Sequence, residues 1–142
     1  MKKNLCITFL ICFVLLIITI GAVTLHNDST SVEIIERNGQ SYSLFPSCAE
    51  KLGYNVDIIK KEGKPLDGQK TIEYQYFLKD NDGVAGSLSI AVCAGEIFST
   101  LCEGDVVSVF NIDIKKDIVF FDNNAYISTQ IFTELQESLT ST

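Results

Sequence analysis

The chain has 142 residues, 46% of them hydrophobic and 20% charged, with a formal net charge of −7, a composition with room for one globular domain. Setting Lys2 and Lys3 aside leaves nine basic residues against eighteen acidic ones. The only basic doublets beyond them, Lys60-Lys61 and Lys115-Lys116, adjoin Glu62 and Asp117 and read as solvated turns. Phosphate neutralisation needs clustered Lys and Arg, so nucleic acid is excluded as a partner.

Residues 5–25, LCITFLICFVLLIITIGAVTL, carry no charged side chain. A helix of that length, at about 1.5 Å per residue, matches a bilayer core of about 30 Å. Lys2 and Lys3 stand on its N-terminal flank and no basic cluster follows before Arg37, so the positive-inside rule exports everything after His26. The apolar run exceeds a usual signal core and lacks an Ala-x-Ala site, although Ile20-Gly21-Ala22 suits a tolerant peptidase. It serves either as a membrane anchor or as a cleaved signal, and the membrane is the partner of residues 5–25. Cys12 lies in mid-run, which argues against a lipidated cysteine.

A polar spacer, residues 26–31, leads into a strand from Val32 to Arg37, a type I′ turn at Asn38-Gly39 and a returning strand from Gln40 to Leu44. Phe45, Cys48, Ala49 and Leu52 then fall at i, i+3, i+4 and i+7, one face of a short helix that Gly53 ends in the left-handed conformation. Ser47 and Glu50 have capping-box spacing. Residues 54–60 read as a strand, residues 62–68 as a loop, and Lys70 to Lys79 as a half-buried strand alternating Ile72, Tyr74, Tyr76 and Leu78. Asp80 to Gly83 is a turn, Gly86 to Ala94 a strand, Ile97 to Cys102 ambiguous, and residues 105–114 and 118–122 extended. Asn123-Asn124 reads as a second turn, followed by Tyr126-Ile127 and a helix from Thr129 to Leu139 with Ile131, Phe132, Leu135 and Leu139 on its apolar face. The order strand, Asn-containing turn, tyrosine and helix thus occurs twice. Matching Tyr42 with Tyr126 also matches Glu50 with Glu134, while the turns and apolar helix faces miss that register by one residue.

Asn38-Gly39, Tyr42, Glu50, Leu52 and Gly53, followed by Tyr54-Asn55-Val56-Asp57, resemble the cassette of a known family: the stalk-like domain named after the N-terminal domain of copper amine oxidases, found on exported proteins of Gram-positive bacteria. The family's Val-Pro-Leu-Arg is replaced by Ser43-Leu44-Phe45-Pro46 and, in the second copy, by Ile127-Ser128-Thr129-Gln130; the second copy also lacks the Leu-Gly ending. In such oxidases the stalk is separate from the copper and quinone centre, so the resemblance implies neither metal nor redox cofactor. It implies a display, spacing or binding module at the cell surface, with a protein or cell-wall ligand as partner.

Catalytic readings find little to stand on. Cys48, Ser43 and Ser47 have no base, since the single histidine, His26, lies at the membrane edge. Cys48, Cys93 and Cys102 are an odd set, read as small buried apolar residues, with a Cys93–Cys102 bridge as the alternative. No Cys-x-x-Cys or His pair suggests zinc, Asp80 to Gly83 fits a tight turn better than a calcium loop, and no phosphate loop occurs. Asn27-Asp28-Ser29 matches a glycosylation acceptor that a bacterial host leaves bare. Tyr42, Tyr54, Tyr74, Tyr76 and Tyr126 suit half-buried strand faces; if a recognition surface exists among them, Tyr74 and Tyr76 carry it, on one face of one strand. The expected fold is a small α+β domain over residues 32–142, mostly antiparallel sheet with two short helices, preceded by the N-terminal transmembrane or signal helix.

Overall fold

The computed structural model describes residues 31–141; the expected N-terminal helix and most of the polar spacer lie outside them. Among the described residues no helix is long and apolar enough to cross a membrane. The domain is α+β and its sheets are antiparallel. One sheet has the order β1-β2-β8-β7, from β1 (Ile34–Arg37), β2 (Gln40–Leu44), β7 (Ile118–Phe121) and β8 (Asn124–Ser128). The other is the meander β3-β4-β5-β6, from β3 (Asn55–Glu62), β4 (Thr71–Asp80), β5 (Gly83–Cys93) and β6 (Glu96–Gly104). The helices are α1 (Phe45–Lys51), the single turns α2 (Asp105–Ser108) and α3 (Ile114–Asp117), and α4 (Thr129–Thr140).

Turn chemistry sets the hairpins. Asn38-Gly39, Asp67-Gly68, Ala94-Gly95 and Asp122-Asn123 each place two consecutive residues at positive φ, the backbone that matches the twist of two-residue hairpins. The tight turn at residues 80–83 is held differently, Asp80 Oδ1 accepting from the N–H groups of Asp82 and Gly83. The second Asn-containing turn is therefore Asp122-Asn123 and not Asn123-Asn124, because Asn124 already pairs with Phe121 in the β7–β8 ladder. That shift brings the two units into phase: β1, β2 and the start of α1 recur as β7, β8 and the start of α4, each 84 residues later. Ser43 pairs with Ile127, its own counterpart, while Tyr42 pairs with Ser128 and Leu44 with Tyr126, so a pseudo-twofold axis passes between β2 and β8. Tyr42 Oη donates to the Lys116 carbonyl and Tyr126 Oη to Glu33 Oε1, both at 2.8 Å. Each tyrosine thus ties down the segment that leads into the other unit's first strand.

The helix faces do not repeat so closely. Phe45, Cys48 and Ala49 are buried on α1 and Phe132 and Leu135 on α4, so only the Cys48 and Phe132 positions coincide. The expected capping box is absent: Leu44 occupies the N-cap of α1 with no side-chain bond, and Pro46 in the first turn removes a donor that needs no partner there. Residues 105–117 are not extended. Gly104, at φ 91 and ψ 170, takes a conformation open to glycine alone, and a Cβ there would come within 2.3 Å of the Ala85 carbonyl oxygen. The chain leaves β6 at that point, makes α2, and returns through α3, where Asp113 accepts from the Lys115 N–H.

One core joins these layers. Tyr74, Tyr76 and Leu78 of β4 and Leu88, Ile90 and Val92 of β5 alternate with half-buried residues, the period-2 signature of a sheet with one interior face. They cluster with Ala125 and Ile127 of β8, Ile118 of β7, and the buried residues of α1 and α4. At about 25 cal/mol per Å² of apolar area removed from water, this cluster is the main stabilising term.

Candidate functional site

Tyr74 and Tyr76, the residues singled out in the sequence as a recognition surface, are interior. Tyr76 is 0% exposed; its ring meets Phe45 edge-on at 5.7 Å and its oxygen accepts from the Ala125 N–H at 3.1 Å. Tyr74 is 4% exposed and donates through Oη to Asn123 Oδ1 at 2.9 Å. The correction has a simple cause. The face of β4 that carries both rings is covered by the β7–β8 hairpin, which supplies Ala125 and Asn123 as polar partners. Burial raises the Tyr76 phenol to about 12, so it stays a neutral hydrogen-bonding group.

The cysteines offer no nucleophile at neutral pH in two of three cases. Cys48 is buried as expected, and burial pushes its thiol up to about 12; desolvation also lifts Cys102 to about 11. All three described cysteines are free thiols, so the Cys93–Cys102 alternative is not realised. Cys93 Sγ instead faces Gln69 Oε1 at 3.5 Å. Among the described residues no group of three or more His, Cys, Asp or Glu side chains is placed to hold a metal ion.

Among the described residues, one cleft of about 380 Å³ lies between the Arg37 side chain and two hairpin tips. Its floor is apolar and aromatic: Ile72 and Tyr74 from β4, Val92 from β5, and Phe120 and Phe121 from β7, with Gly95, Asp122 and Asn123 contributed by two hairpin tips. The Tyr74 and Phe120 rings lie 4.6 Å apart with a 49° tilt. The Arg37 guanidinium sits over the Phe121 ring at 4.7 Å, and the Lys60 ammonium over Tyr74 at 5.3 Å. Lys61 pairs with Glu73, Lys70 with Glu62 and Lys79 with Asp57. Arg37 and Lys60, like Lys51, Lys64, Lys115 and Lys116, have no carboxylate within ion-pair distance among the described residues.

Of these groups the sequence pointed only to Tyr74. Lys60 is a strand residue of β3 and not part of a solvated turn. Arg37 and Phe121 occupy equivalent positions, 84 residues apart, in the two related units, and their contact shows how far the sheet curls toward the pseudo-axis. Compared with family models, curated proteins and solved structures, the chain matches none.

Proposed function

We propose that this chain is a non-enzymatic, exported module that binds a cell-wall component or a partner protein, or extends the reach of one. It acts at a bacterial cell surface, held there by residues 5–25 or released once they are removed. The observation that supports this reading most directly is the in-phase duplication of strand, two-residue turn, strand and helix at a spacing of 84 residues, the order of elements in the cassette that carries the resemblance to the stalk-like domains. The uncharged run of residues 5–25 supplies the route out of the cytoplasm.

A second reading, a secreted regulator or inhibitor of an extracellular enzyme, is favoured by β3. Among the described residues this eight-residue strand pairs with β4 on one side alone, and an open edge suits strand addition by a partner. Cell fractionation with N-terminal sequencing separates the two. An anchored module stays with membranes through a high-salt wash; a released one appears in the culture fluid with a new N-terminus near Val23. Recovery of the intact chain from cytosol overturns both.

A further inference from the structure

We infer that β3 is the interface for a second copy of this chain, the two β3 edges pairing antiparallel about a twofold axis at Ile59 so that the β3-β4-β5-β6 sheets of both copies join into one. This goes beyond both readings above and bears on the second, since an edge filled by a second copy is closed to an enzyme. Of the strands that end the two sheets, β1 and β7 have four residues each, and the ladder beside β6 carries a register shift between Ala91 and Val92. β3 runs for eight residues with no proline, glycine or shift, from Asn55 opposite Lys79 to Glu62 opposite Ile72. Folded chains ordinarily blunt so long and regular an edge. This one leaves Ile58 50% and Ile59 47% exposed.

Charge selects the partner and the register. The chain carries a net charge of −7, yet Asp57, Lys60, Lys61 and Glu62 of β3 sum to zero, so two acidic copies meet there without net repulsion. The Gly63 N–H donates to the Thr71 carbonyl at 3.1 Å, a pair that continues the β3–β4 register. Bonding to β4 therefore falls on the odd-numbered residues of β3, and the N–H and C=O groups of Val56, Ile58, Lys60 and Glu62 point to the open edge. Two copies that keep their interior faces on one side must pair odd with odd and even with even. Centring on Lys60 sets Lys60 against Lys60, and centring on Ile58 sets Asp57 against Ile59. Centring on Ile59 brings the two Ile59 side chains together and opposes Asp57 to Lys61 of the second copy twice, in pairs without mutual backbone bonds, where side chains approach most closely. Within one copy Asp57 already pairs with Lys79, and Lys61 with Glu73 at 3.2 Å. The joined sheet thus carries the alternating row Lys79, Asp57, Lys61, Glu73 across the junction, the last two from the second copy.

The test is hydrogen exchange of the Ile58 and Lys60 amides, read by NMR on the full chain in detergent micelles, in the natural sequence, in Asp57→Lys, in Lys61→Glu and in an equal mixture of the two variants. Both substituted positions are exposed, so the core is left intact. Each variant sets like charges against each other twice in its own dimer, whereas the mixed dimer restores both opposite pairs. The two amides should be protected in the natural chain, exchange at least about tenfold faster in either variant alone, and return to within about threefold of the natural rate in the mixture. Rapid exchange of both amides in the natural chain overturns the inference. So does protection that both variants retain, which would mean that something other than a second β3 covers the edge, and so does a mixture that stays as fast as its components. Association through residues 5–25 leaves these amides unprotected, so it cannot imitate the expected result.

Discussion

A buried hydroxyl is expensive to leave alone, and Tyr76 shows how the domain avoids that cost. Its oxygen receives the Ala125 N–H, a bond that links the two sheets. Tyr76→Phe keeps the ring against Phe45 but strands that N–H in the core. The expected loss is about 1–3 kcal/mol, measured by urea denaturation; an unchanged midpoint would mean that Ala125 finds another acceptor. Cys48 works through volume. It lines an apolar void of about 10 Å³ together with Phe45, Ala49, Leu78 and Leu135, and Cys48→Ala enlarges that void. A loss of about 1–2 kcal/mol follows, and a fully stable mutant would place the thiol outside the core.

At the scale of elements, hairpins and the longer helices were legible in the sequence because their signals are local. Asn38-Gly39 fixes a two-residue turn, and the spacing of Phe45, Cys48 and Ala49 fixes α1. Residues 105–114 were not, since Val106, Val107, Val109, Ile112 and Ile114 are β-branched and read as strand; the turn of α2 follows the glycine conformation at Gly104. The cleft was illegible for a related reason. Alternation along β4 marks Tyr74 and Tyr76 as one face, but nothing nearby says that a hairpin from residues 118–128 covers it or that Arg37 reaches Phe121. The Asp122-Asn123 turn shows such long-range demand outweighing local preference. Type I′ turns favour glycine at the second position, so Asn123→Gly should help the hairpin by a few tenths of a kcal/mol, about the scale of turn propensities. It also removes the acceptor of the Tyr74 hydroxyl, worth about 1–3 kcal/mol, and a net loss is expected. In a Tyr74→Phe background that acceptor no longer matters, and the same substitution should become neutral or stabilising. A thermal-melt double-mutant cycle decides it, and an unchanged sign in both backgrounds would remove the hydrogen bond from the account.

For the molecule as a whole, the buried and half-buried acids with perturbed ionisation all press in one direction. Burial raises Cys48 from an ordinary 9.0 to about 12, Cys102 from 9.0 to about 11, and Tyr76 from 10.0 to about 12. Each is therefore neutral in the folded chain at a pH where the unfolded chain has begun to ionise. Over that interval the unfolded state binds fewer protons than the native one, so the free energy of unfolding falls as pH rises. Stability from these groups is fully present below about pH 9 and is lost progressively up to about pH 12. Groups on three elements that pack into one core share the effect, Cys48 on α1, Tyr76 on β4 and Cys102 on β6, so the loss should be cooperative and not confined to one element. Urea midpoints taken at intervals from about pH 8 to pH 11 should decline, and alkylation of Cys48 and Cys102, read by peptide mass, should follow unfolding and not precede it. Cys48→Ala should flatten the first part of that decline, since the group with the largest gap between folded and unfolded ionisation is then gone. If midpoints stay level to about pH 11, or if Cys48 titrates in the folded chain near 9, the interior is open to water and the packing described for α1 against the sheets is wrong.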